Sequence, residues 1–449
     1  MLPRPRSVRV ALATLCSCVG LSSHAADWPQ WLGPHRDGIW KEDGILDVLP
    51  KGGPKELWRK PIAGGYAGPA VVGDRIYVTD RVVKQSAEAP RGLIPGNERV
   101  HCLNATTGET VWMHEYDRPY RGVDRPMGPR TTPVVAGDRL YTLGSMGDLL
   151  CLDAKTGLPI WKRFFPEEFK TRPPVWGYSA HLLLHDGLVF ALVGGDDHAV
   201  VAFDAATGEK KWNALSTKDV GYSPPMIVKA GGTDQLVIWL SDLLAGLDPQ
   251  TGKVHWKFPH PRKPKTHANP SVTIATPKIV GNTVYVTSAY DGPLAVSLAS
   301  DKPTATIAFQ SENVFPKQPE QLAVLMTTVI AKGEHLYGLA SDTGELLCVK
   351  AGSLEEVWRS KDLFGGKDAL FGSVFWVEHG DNVFCFTDTG DLVTLKLNPQ
   401  GYRETSRAHI MDPVGADRGR KVIWAHPAFA NKAIFVRNEK EIIAYSLAK

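Results

Sequence analysis

The sequence predicts an all-β fold, an eight-bladed β-propeller of four-stranded antiparallel blades closed by its N-terminal strand. Three observations lead there: a tryptophan-bearing phrase that recurs about every 49 residues, a second phrase between its copies, and a high content of turn formers. The chain has 449 residues, 43 of them glycine and 33 proline. So many breakers suit short strands and tight turns rather than long helices. With 43% hydrophobic and 22% charged residues, the composition is that of a globular protein and excludes both a disordered chain and a bundle of membrane spans.

The first phrase reads NATTGETVW (Asn104–Trp112), DAKTGLPIW (Asp153–Trp161), DAATGEKKW (Asp204–Trp212) and DPQTGKVHW (Asp248–Trp256). An Asx side chain caps the turn, glycine takes its positive φ, and tryptophan sits in the outgoing strand, packed on a neighbouring sheet. Successive tryptophans are 49, 51 and 44 residues apart. Degenerate copies continue at Phe309, at Trp358 and near His409. Trp58 lies 54 residues before Trp112, the interval lengthened by an insertion around Lys84–Arg99.

The second phrase is a small residue and proline, an apolar run, Gly-Asp or Gly-Asn, and another apolar run. It reads GPAVVGDRIYV (Gly68–Val78), TPVVAGDRLYT (Thr132–Thr142) and TPKIVGNTVYV (Thr276–Val286), with weaker versions from Thr328, Ser373 and His426. The two phrases together define four strands per unit, the repeat of a propeller. Residues 56–449 divide into about eight such units. The last, from Met411, has three strands, around Ala425–Pro427, Ala433–Arg437 and Glu441–Ser446. The isolated strand Glu56–Ile62, with Trp58 in the tryptophan position, is expected to supply the fourth and so remove the sheet edges.

Residues 1–25 read as a secretory signal peptide: Arg4, Arg6 and Arg9, then the apolar run Val10–Leu21, then Ser23-His24-Ala25 as the cleavage site. That run is too short for about 30 Å of hydrocarbon. Leu15-Cys16-Ser17-Cys18 faintly matches a lipoprotein box, but a cysteine two positions before the lipidated Cys18 departs from that pattern. The exported product is therefore expected in the periplasm or medium, with residues 26–55 as an arm lying on the ring. The formal net charge is +3; without the three signal-peptide arginines, 48 basic balance 48 acidic residues, which argues against a nucleic-acid or anionic-membrane surface. Cys102, Cys151 and Cys348 lie in apolar strand contexts and read as core thiols.

The docking phrase resembles the tryptophan repeat of the pyrroloquinoline-quinone (PQQ) propeller superfamily over nearly the whole mature chain. The opening DWPQWLGPHRDGIWKEDGIL (Asp27–Leu46), followed by GPKELW (Gly53–Trp58), resembles secreted bacterial PQQ-like propellers described as BamB-like. The resemblance implies a non-catalytic, monomeric binding or scaffold module for a protein or envelope partner, without cofactor. The superfamily also contains quinoprotein alcohol dehydrogenases, so the alternative is a PQQ- and calcium-dependent oxidoreductase. Those enzymes typically stack the quinone on a disulfide of adjacent cysteines, and the mature chain has no adjacent pair; the haem signature C-x-x-C-H is absent as well.

In a propeller, the loops leading into the innermost strands and those joining strands two and three open on one face around the axis, the usual ligand site. Arg130, Trp176, Tyr178, Tyr222 and His426 fall in such lead-in loops and are candidates for a common ligand, offering stacking surface and donors. The alternative is that these side chains fill the crowded axis. Asp196-Asp197-His198, after Gly194-Gly195, form the densest polar cluster of the other loops, and Asp197 and His198 are further candidates for ligand binding, but one short turn supplies at most two or three ligands and no metal site is expected. His181 and His185 are four residues apart in a predicted strand, about 13 Å, too far for one ion. His255, His260 and His267 straddle a basic, proline-rich loop expected to be solvated. The insertion Arg81–Arg99 and the loop Tyr116–Pro129 enlarge the first two blades and suit a partner contact or lid. Trp58, Trp112, Trp161, Trp212, Trp256 and Trp358 are expected to be structural. No phosphate-binding glycine loop, nucleophile elbow or H-E-x-x-H motif occurs.

Overall fold

The computed structural model describes residues 26–84, 89–260, 272–311, 322–417 and 419–449. The predicted signal peptide with Cys18, and also His267, lie outside the described residues. Eight four-stranded antiparallel sheets form the blades. Blade 1 comprises Ala70–Val72, Arg75–Val83, Gly96–Asn104 and Thr110–Asp117, innermost to outermost. Blades 2 to 7 repeat that order, and their innermost strands start at Val134, Leu183, Met226, Lys278, Ile330 and Val374. Blade 8 is composite: Ala428–Ala430, Ala433–Arg437 and Glu441–Ser446 are joined by Glu56–Pro61, which pairs antiparallel with Glu441–Ser446. Its innermost strand starts later than expected from the sequence, because Ala425–Pro427 belong to the lead-in loop. That loop also carries an unanticipated hairpin, Gly415–Asp417 with Arg420–Val422. Among the described residues, no helix is long and apolar enough to cross a membrane.

The middle strands are sandwiched between neighbouring blades, so both of their faces are apolar; Leu188–Leu192 is buried throughout. The outermost strands have one face on solvent and alternate, as Thr110–Asp117 does. Cys102, Cys151, Cys348 and Cys385 are all buried and unpaired, and burial pushes the Cys102 thiol up to about 11.

The recurring phrase acts as a dock between blades. Asp204 Oδ1 accepts the backbone N–H groups of Ala206 and Thr207, which shapes the turn. Gly208, at φ 73°, then lies flat beneath the Trp161 ring of the preceding blade. The Trp161 indole N–H is donated to Ala205 O. Trp58, Trp112, Trp212 and Trp358 dock likewise, on Ala105, Ala154, Pro249 and Asn398. Trp256 does not. It donates to Gln235 of its own blade at 2.7 Å. A Cβ at Gly208 would come within 2.6 Å of the Trp161 ring, on a backbone already left-handed. Gly208→Ala is therefore expected to cost at least the ~1–2 kcal/mol of a non-glycine residue in that region, read as a lowered urea midpoint with an unchanged m value.

The arm, Ala26–Lys55, crosses the ring axis. Asp27 accepts the Gly73 N–H at the first turn of blade 1. Trp28 exchanges backbone hydrogen bonds with Val71. Pro29 accepts from Val135 of blade 2, and Trp40 and Gly38 bond Glu378 of blade 7. Arg36, only 5% exposed, reaches Leu182 O and Pro225 O at blades 3 and 4. Burial alone lowers this guanidinium to about 9. One side of the channel is thereby sealed with protein.

Candidate functional site: an aromatic pocket on the propeller axis

The lead-in loops converge over the arm to enclose a cavity of about 290 Å³. Trp31 of the arm closes it from below. The Trp31 indole stacks on His181 (4.2 Å, 6°), meets His426 edge-on (4.3 Å) and donates its N–H to Thr276 Oγ1 at 2.8 Å. Around it stand tilted aromatic pairs: Trp176 with Tyr222 at 5.3 Å and Tyr66 with Trp424 at 5.7 Å. Tyr290, Phe371, Phe375, Leu325 and Met326 complete much of the wall.

Each of these side chains comes from the stretch just ahead of an inner strand or from a loop between strands two and three. The crowding of eight strands at the axis forces those stretches to face one another. Four of the residues expected from the sequence, Arg130, Trp176, Tyr222 and His426, are brought together here. Three are not. Tyr178 is buried between blades 2 and 3, edge-on to Phe165. Asp197 sits in a left-handed turn at φ 61°, held by Ser216, and His198 packs on Phe169. These three residues do not line the pocket: the Tyr178 side chain turns into the core between blades, and Asp197 and His198 lie on a loop between strands two and three of blade 3 that does not reach it.

The pocket's charges are largely committed. Arg130 donates to Gly128 O, Asp124 O, Arg125 O and Ser145 Oγ and lies over the Tyr66 ring at 5.0 Å. Burial lowers its pKa. Arg125 covers the Trp424 ring at 4.5 Å. Asp124 accepts from the Trp176 indole at 3.2 Å and from the Arg125 N–H. Behind this wall, buried Glu98 accepts from Tyr116, Tyr120 and the Ser145 N–H, fixing the serine that holds Arg130. Burial raises the Glu98 carboxyl. Burial and then Glu98 push the neighbouring Asp148 up to about 7, although Arg118 pairs with it at 2.6 Å.

The two histidines are neutral for a stated reason. His181 Nδ1 accepts the Thr132 N–H at 2.9 Å, which places its proton on Nε2. Burial lowers its pKa well below the usual value, helped by His426 and Arg36. His426 hydrogen bonds Thr132 Oγ1 through Nε2, and burial, with Arg437 nearby, brings it down to about 3. His260 is also buried, against Trp239, rather than solvated as the basic loop around it suggested. His185 faces Asp234 at 3.0 Å and Asp186 at 3.4 Å, away from His181.

The sequence reading passed over Trp31, Trp424, Asp124 and His181 as pocket residues. Trp424 lies two positions ahead of His426, in the same lead-in loop, so its position carried a signal. Trp31 carried none, since nothing local states where an arm will cross a ring.

The profile of the family described as Outer membrane protein assembly factor BamB matches residues 96–360. The chain belongs to this family. Among curated proteins it is 26% identical to outer membrane protein assembly factor BamB of Burkholderia pseudomallei over 216 residues, 40% of this chain and 52% of that one. It is 23% identical to the polyvinylalcohol dehydrogenase of a Sphingopyxis species over 286 residues, 52% of this chain and 39% of that one. The chain thus spans about half the length, or less, of these curated relatives. The crystal structure of BamB from Moraxella catarrhalis superposes with a TM-score of 0.57 at 15% identity, covering 88% of this chain and 99% of that one; this is a likeness of fold.

Because the wider superfamily includes quinone enzymes, the pocket of this family member was compared with the needs of PQQ and calcium. Among the described residues lining it, Asp124 is the single carboxylate, and it is tied to Trp176. A calcium ion takes six to eight oxygen ligands. No cysteine lines the pocket, and the Arg130 donors that acidic groups of a quinone would need already serve internal acceptors. The residues present do not fit that group.

Proposed function

We propose that this propeller is an exported, non-catalytic binding module of BamB type, acting in the periplasm or medium on a protein or envelope partner. The observation that carries the reading is the pocket itself: it is rich in stacking surface, closed beneath by Trp31, and its polar groups are engaged in holding the walls. The Thr132 hydroxyl that bonds His426 is itself buried behind the wall. The family and the titles of the BamB relatives support a role in assembly, and the loop Tyr116–Pro129 brings Asp124 and Arg125 to the pocket wall. Affinity capture on the exported protein from envelope extracts is expected to retain a specific protein partner. Recovery of none, with turnover of a small substrate, would overturn the reading.

A quinone-dependent oxidoreductase is the second reading. It is favoured by the match to polyvinylalcohol dehydrogenase and by the Trp176–Tyr222 pair, and opposed by the donor set. A ligand at 100 times its dissociation constant stabilises a fold by about 2.7 kcal/mol. Addition of PQQ with calcium is expected to leave the melting temperature unchanged and to produce no alcohol-dependent dye reduction.

A further inference from the structure

Three properties of the axial cavity define what it can hold. The first is size: about 290 Å³ is at the lower end of the ~300–1,000 Å³ range of small-molecule sites, enough for one ring system and little more. The second is polarity. Arg130 and Asp124 are occupied internally, and Ser179 Oγ donates to Trp176 O. A ligand rich in hydroxyl groups would leave most of them unpaired, at about 1–3 kcal/mol each. A cation would meet Arg125 and Arg130, which already cover the Trp424 and Tyr66 faces. An anion would find the Arg130 donors taken.

The third property is open donors: the buried Trp424 Nε1–H has no partner among the described residues, and His181 offers another. His181 is 8% exposed and lines the cavity, and its Nδ1 is used by Thr132. Its Nε2–H has no hydrogen-bond partner among the described residues. Donors without an acceptor call for acceptors on the ligand, such as a peptide carbonyl or a phenolic oxygen. The chain itself shows that the axis accommodates an aromatic side chain: Trp31 enters from below and is held by ring contacts to two histidines and one hydrogen bond.

Resting on the reading of this protein as a partner-binding propeller, we propose that the cavity seats one uncharged aromatic side chain of a partner polypeptide, entering from the face opposite Trp31. The ring packs between the Trp176–Tyr222 and Tyr66–Trp424 pairs, and a carbonyl or phenolic oxygen accepts from His181. Trp176 and Tyr222 are thus the anchors of the contact, and the loops around the mouth form its rim.

The test is calorimetric titration of the exported protein with capped tripeptides Gly-X-Gly, X being Tyr, Trp, Phe, Leu, Glu or Lys. Aromatic peptides are expected to bind at least tenfold more tightly than the other three. Trp176→Ala is expected to remove that preference at an unchanged melting temperature. If that variant does not fold, Leu325→Trp fills the cavity from another blade and is expected to do the same. Equal binding of the leucine peptide overturns the proposal, as does binding of free p-cresol as tight as that of the tyrosine peptide, since the site would then read a free phenol. Capture of an envelope protein that Trp176→Ala leaves unchanged, with no tripeptide binding, overturns the pocket as anchor while the binding function stands. Tripeptide binding with no captured partner keeps the pocket chemistry and overturns the function.

Discussion

Between pH 6.5 and 4.5, the wild-type protein is expected to lose about 2 kcal/mol of stability relative to a His426→Gln variant. His426 lies at the axis against Trp31, His181 and Phe375, with its folded pKa brought down to about 3 by burial and Arg437. In the unfolded chain the same imidazole titrates near 6.5. Below that pH the unfolded state gains a proton that the folded state refuses, so stability falls by ~1.4 kcal/mol per pH unit until the folded group titrates. His181 acts with the same sign.

Asp148 acts oppositely. Its carboxyl is raised to about 7, so the folded state holds a proton that the unfolded state has released, and acidification favours folding. An Asp148→Asn variant should therefore lose ground to the wild type as the pH falls. Urea unfolding of the three proteins at both pH values separates the terms. A His426→Gln difference independent of pH would show that this histidine takes up its proton as readily in the folded state as in the unfolded chain.

Trp58→Ala is expected to destabilise the protein more than Trp112→Ala, by at least the 3–5 kcal/mol typical of a large aromatic truncated in a core. Both indoles dock on the next blade, Trp58 on Ala105 O at 2.8 Å and Trp112 on Ala154 O at 3.0 Å. Trp58 is the better buried, at 8% exposure, while the glycine contacts do not separate the two: Cβ atoms at Gly108 and Gly157 would come within 2.6 and 2.4 Å of the Trp58 and Trp112 rings. The decisive difference is connectivity. The strand bearing Trp112 continues a hairpin of its own blade, whereas Glu56–Pro61 meets blade 8 through non-covalent pairing with Glu441–Ser446. Loss of the dock frees the strand that closes the ring, so amide exchange at Ile442–Tyr445 should quicken in Trp58→Ala and stay slow in Trp112→Ala. Equal exchange in both would mean that the ladder holds the closure unaided.

Much of this architecture was legible in the sequence. The Asx-x-x-Thr-Gly turn and the following tryptophan are local chemistry, since the cap, the positive φ and the outgoing strand all lie within nine residues. Their repetition states the number of blades, and the three-stranded last unit states that Glu56–Pro61 must complete it. What a loop side chain faces is a different kind of fact. Trp176 reaches the axis while Tyr178, two residues on, enters the core between blades. Trp256 carries the same phrase and yet donates its indole N–H within its own blade. Trp31, distant in sequence from every lead-in loop, becomes the floor of the pocket. Local hydrogen bonding and periodicity determine strands and turns from the sequence alone, whereas the pocket depends on eight blades converging, and only the closed ring brings residues from 31 to 426 into contact.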